Sequence, residues 1–185
     1  MDEELEREIR AYARERGFHA ETIERWVGMS GADARALWEL AREMRLGENQ
    51  LRDLLEWAEE VAARDRTTLA AVFACDPLRA ARQGAGGRND RLKALKASLR
   101  RLRFPTLAKT QDRIGELIAG LDLPPGVRLT VPDFLEGDDV RAEIVARDPA
   151  SLAAAARRLA DAAATPACGE IFELLSEAPE SSGSD

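Results

Sequence analysis

"GVRLTVPDFLEGDDVRAEIVARDPASL", residues 126 to 152, is where apolar residues recur at every second position. Val127, Leu129 and Val131 fall on one face of an extended segment, and Val140, Ala142, Ile144 and Ala146 do the same in a second. The spacing predicts two half-buried strands, over 127–131 and 140–146. The linking "PDFLEGDD" is too long for a two-residue turn but suits an antiparallel connection. Asp148 and Pro149 then open a helix over "DPASLAAAARRLADAAA", and Pro166 restarts a short one through Ile171, Phe172, Leu174 and Leu175.

Outward from this stretch the period is helical. Before it, Thr106 can cap a helix whose inner face is Leu107, Ile114, Leu117, Ile118 and Leu121. The first 76 residues read as an all-helical unit with apolar stripes such as Leu5, Ile9 and Ala13, or Leu51, Leu54, Leu55, Ala58 and Val61. Ser30 or Asp33, Asn49, and Thr67 or Thr68 are candidate caps. All three tryptophans (Trp26, Trp38 and Trp57) lie in this unit and read as core anchors. Gly84, Gly86 and Gly87 mark a flexible joint.

The expected fold class is α+β, predominantly helical. It comprises an acidic helical domain (1–76), a Gly-rich linker (77–89), and a basic helix followed by a small αββα module with a two-stranded antiparallel sheet (90–176). A disordered tail closes the chain (177–185). Two strands alone are marginal in water. A second copy would extend the sheet, so a homodimer is expected, with Leu129, Val131, Ile144 and Leu152 as dimer or core residues.

Charge is partitioned along the chain. From Pro77 to Arg113 there are 11 Lys or Arg against Asp90 and Asp112, a surplus of +9 in a protein of formal net charge -7, which leaves -16 elsewhere. Much of it lies in "RNDRLKALKASLRRLRFP", residues 88 to 105. There Asp90 is a good N-cap and Leu92, Leu95, Leu99 and Leu102 repeat at spacings of 3, 4 and 3. Arg91, Lys93, Lys96, Arg100, Arg101 and Arg103 take up the remaining circumference, and Arg88 precedes them. Clustered cations of this kind gain affinity for phosphates by releasing counterions, without reading bases. The expected partner is therefore double-stranded DNA, bound non-specifically. The competing reading is an acidic protein surface, including the chain's own Glu-rich N-terminal domain. No aromatics are interleaved, which argues against stacking on single strands.

A helix-turn-helix over residues 32 to 60 has suitable lengths, but its second helix carries Glu48, Asp53, Glu56, Glu59 and Glu60, the wrong sign for a phosphate backbone. A protein-docking helical module fits better.

Catalytic signatures are sparse. His19 is the one histidine and reads as a capping or surface residue, with no triad or metal partner in view. "AGG" lacks the Lys-Ser or Lys-Thr of a phosphate loop. Asp133, Glu136, Asp138 and Asp139 cluster without EF-hand spacing. No catalytic residue, metal or cofactor is expected, and no enzyme activity. Cys75 and Cys168 are isolated from each other, which fits a reducing compartment, and no apolar run is long enough to span a membrane. The expectation is a cytoplasmic protein.

The run "DRIGELIAGLDLPPGVRLTVPDFLEGDDVRAEIVARDPASLAAAARRLADA" resembles the C-terminal dimerisation module of ParB-type chromosome-partition proteins, over about residues 90–165. A helix leads into Gly, two strands and a helix whose start runs from Asp148 to Leu152. The resemblance implies dimerisation by joined two-stranded sheets and, in some members, non-specific DNA binding through basic residues. Here the inter-strand loop is acidic, and only Arg128, Arg141 and Arg147 bring positive charge to the strands. Together these readings point to a DNA-associated partition or regulatory accessory protein. The alternative is a protein-protein adaptor whose basic helix docks an acidic partner or its own N-terminal domain.

Overall fold

The computed structural model describes residues 2–132, 135 and 137–177. Among them are ten helices and one two-stranded antiparallel sheet, so the fold is predominantly helical α+β. The chain divides into two compact units, Met1–Phe104 and Pro105–Asp185.

The first unit holds seven helices: α1 (Glu3–Glu15), α2 (Ala20–Val27), α3 (Gly31–Met44), α4 (Glu48–Asp65), α5 (Leu69–Ala74), α6 (Asp76–Gln83) and α7 (Arg88–Arg103). Their apolar stripes converge on one core that includes Leu5, Ile9, Trp26, Leu37, Leu40, Leu54, Leu55 and Phe73. Ser30 caps α3 through the Asp33 amide, and Thr68 caps α5 through the Ala71 amide. Asp33 does further work, accepting from the Ala70 amide at 2.8 Å and so tying α3 to the start of α5. Helix α4 begins at Glu48 behind Gly47, not behind Asn49. The turn between α3 and α4 passes through Arg45 in the left-handed region (φ 47°).

Three expectations need correcting here. The stretch 77–89 is not a linker: α6 covers most of it and buries Leu78 and Ala81, with Pro77 placed early in the helix, where its missing N–H costs nothing. The boundary also lies further on. The basic helix belongs to the first unit, and the chain divides between Phe104 and Pro105. The three glycines shape the α6–α7 turn, where Gly86 takes φ +119°. Asp90 is not the N-cap of the basic helix. It sits in the first turn, and its carboxylate accepts from the Gly87 amide at 3.0 Å.

The second unit runs α8 (Pro105–Gly120), β1 (Val127–Thr130), β2 (Arg141–Ile144), α9 (Pro149–Ala163) and α10 (Pro166–Glu177). The strands pair antiparallel with Val127 opposite Ile144, Arg128 opposite Glu143, Leu129 opposite Ala142 and Thr130 opposite Arg141. Ile114 and Leu117 of α8 form the core with Leu135 and with Ile171 and Leu175 of α10, and Val131 and Val140 pack against it. Gly126 is required at the sheet entrance. A Cβ there would stand 2.6 Å from the Val145 carbonyl oxygen, at φ +91°. Asp133, Glu136 and residues 178–185 of the expected tail lie outside the described residues; Glu177 ends α10.

Candidate functional site: the basic helix and the edge strand

The leucine seam commits one face of α7. Leu92, Leu95 and Leu99 are buried and Leu102 packs against the same core, which places α7 on α4 and α6. Burying three leucines contributes roughly 2 kcal/mol each. That exceeds what partly exposed ion pairs supply, about 0–1 kcal/mol apiece. The leucines therefore hold the helix in place, and the charges around it settle onto whatever the packing brings near.

What it brings near is the acidic face of the N-terminal helices. Lys96 donates to Asp53 at 2.8 Å, and Arg103 makes a two-pronged pair with Glu60. Lys96 and Arg103 both lie over the Trp57 ring, each 5.9 Å from its centroid, so this half-buried tryptophan packs against the core and also meets the cations of α7. Arg88 donates to the carbonyls of Met44 and Arg45, the open carbonyl end of α3, where a cation also meets the favourable end of the helix dipole. Arg91 reaches the Arg82 carbonyl at 3.3 Å and lies 4.0 Å from Glu43, while its Nε is buried without a hydrogen-bond partner. From the other side, Arg64 of α4 donates to the carbonyls of Leu102 and Arg103 at 2.7 and 3.0 Å, closing the C-terminus of α7.

Of the seven predicted phosphate-contacting residues, Arg88, Arg91, Lys96 and Arg103 are thus engaged inside the first unit. Lys93 and Arg101 are exposed and Arg100 is half-buried. Counting by unit also redraws the charge map. Residues 1–104 carry 20 Lys and Arg against 19 Asp and Glu, whereas residues 105–185 carry 7 against 15. The basic segment neutralises the helices it packs on, and the surplus negative charge belongs to the second unit.

His19 occupies the position before α2. Its ring Nδ1 is 2.7 Å from Glu48, whose carboxylate also accepts from the Thr22 hydroxyl and the His19 amide. Those hydrogen bonds, Thr22 first, hold the Glu48 carboxyl below its usual range. This is a brace between α2 and α4. Sequence spacing could not show it, because the partners are 26 and 29 positions apart. Among the described residues, no group of three or more His, Cys, Asp or Glu is placed to hold a metal ion, and no helix is long and apolar enough to cross a membrane.

In the second unit the predicted dimer residues separate. Leu129 is buried and Val131 packs against the unit's own core; Ile144 is half-buried; Leu152 is 49% exposed. Arg141, Ala142 and Glu143 of β2 are all exposed, and α9 buries only Ala162. Val145 (68%) and Phe172 (49%) are likewise exposed apolar residues of this unit. Arg128, Arg141 and Arg147 are exposed as well.

No known protein family, curated protein or solved structure matches this chain.

Proposed function

We propose that this protein is a dimeric adaptor without catalytic activity, whose basic helix is docked on its own N-terminal helices. The reading rests on one observation: Arg88, Lys96 and Arg103 of α7 already face carboxylates, carbonyls and a tryptophan ring of the same unit. Phosphate binding draws its free energy from counterions released by unengaged cations. A lysine that must first leave Asp53, or an arginine that must leave Glu60, gains correspondingly less. The surfaces left for partners are the outer faces of the helical unit and the exposed β2–α9 side of the second unit. A homodimer through the second unit is part of the proposal, in keeping with the ParB-type resemblance, as is a cytoplasmic location.

The experiment is a titration of double-stranded oligonucleotide at about 50 mM salt, where phosphate contacts are strongest. No salt-dependent binding is expected. Binding that weakens linearly with the logarithm of salt would overturn the adaptor reading and favour the second one, a DNA-associated partition or regulatory protein. That second reading draws on Lys93, which is exposed on α7. Under it, Arg100→Glu with Arg101→Glu abolishes DNA binding. Under the adaptor reading, the same pair disturbs complex assembly or the packing of the first unit.

A further inference from the structure

We infer that the second copy joins along β2, on a two-fold axis through Ala142, in a register selected by charge; the inference rests on the dimeric reading above. The sheet has two strands, so each keeps one edge that its partner does not cover. The strands are not equivalent. Along β1 Leu129 is buried, and Arg128 has no acidic residue on its own strand to meet in a copy. Along β2 Arg141, Ala142 and Glu143 are exposed, and the triplet is charge-complementary to itself.

Symmetry limits how two β2 edges can meet. An antiparallel pair related by a two-fold perpendicular to the sheet keeps each side chain on its own face, so the axis passes through a residue and not between two. An axis at Arg141 sets two arginines directly opposite each other. An axis at Glu143 does the same with two glutamates. Like charges directly opposite are destabilising, and opposite charges stabilise. Only an axis at Ala142 places Arg141 opposite Glu143 of the second copy, twice. It also sets Val140 opposite Ile144 on the other face. Within each copy Arg128 already stands opposite Glu143. The joined sheet would therefore carry Arg128, Glu143 and the second copy's Arg141 in one row of alternating sign.

Only the residue on the axis meets its own copy, and facing Cα atoms across a strand pair fall within disulfide range. The chain with Ala142→Cys should cross-link to a covalent dimer under mild oxidation, while the unaltered chain with Cys75 and Cys168 should not. Arg141→Glu sets two glutamates opposite each other at both symmetric positions and should weaken dimerisation roughly 10- to 100-fold. Adding Glu143→Arg, together with Arg128→Glu so that the pair within each copy stays opposite in sign, should restore it. Sedimentation reads the dimer, and circular dichroism confirms that each variant is folded. A dimer that neither cross-links at Ala142 nor responds to Arg141→Glu overturns this interface but leaves the dimeric reading standing. An unaltered chain that is monomeric at micromolar concentration overturns both.

Discussion

Leu99 and Lys96 lie three residues apart on α7 and carry unequal weight. Leu99 is fully buried among the leucines that seat the helix, and truncation there leaves a cavity. Leu99→Ala is expected to cost about 2–5 kcal/mol. Lys96→Ala removes a partly exposed pair with Asp53 and should cost less than about 1 kcal/mol. Urea denaturation followed by tryptophan fluorescence measures both; comparable losses would show that the ion pairs, not the leucines, hold the helix.

Acid sensitivity also belongs to individual side chains. Glu24, Glu48, Asp65 and Asp148 are held below their usual range, chiefly by hydrogen bonds from Arg10, Thr22, Arg64 and the Ser151 amide respectively. A depressed carboxyl stabilises the fold fully above its unfolded pKa, and the contribution is lost as pH falls through the folded value. Melting temperature should therefore stay level from pH 7 to about pH 5 and drop below about pH 4. Glu48→Gln should make that drop shallower.

Among the elements, α6 and α7 change the account of the first unit most. The Gly-rich stretch reads as a joint because glycine clusters punctuate both linkers and tight turns, and composition alone does not separate the two. The 3-4-3 leucine spacing of α7 was plain in the sequence, yet periodicity says only that a face is buried, not what covers it. Here the cover is α4 and α6. A fragment of residues 1–87 loses Leu92, Leu95 and Leu99 from its core and should unfold without a cooperative transition, whereas residues 1–104 should melt cooperatively. Thermal denaturation followed by circular dichroism compares them. A sharp transition in the shorter fragment would place α7 outside the folding unit.

For the whole molecule, the question raised by the basic segment is now one of geometry. Eleven cations between Pro77 and Arg113 look like a surplus along the chain, but nine of them belong to the first unit, whose 20 Lys and Arg meet 19 carboxylates. The second unit keeps the excess negative charge and the exposed strand edge.

Local pattern was sufficient for every helix but α6, for the two strands and their antiparallel pairing, and for several caps, because each depends on neighbours within a few residues. Ser30, Thr68 and Asp148 cap as their positions suggest. Long-range partners were another matter. Lys96 finds Asp53 and Arg103 finds Glu60 across 43 positions, and Arg88 finds the end of α3. No periodicity encodes such pairs, since a charged side chain takes the partner that apolar packing delivers to it. The chain order of residues set which face of the basic helix is apolar; only the packing of α7 decided that Arg88, Arg91, Lys96 and Arg103 turn to partners in the same unit.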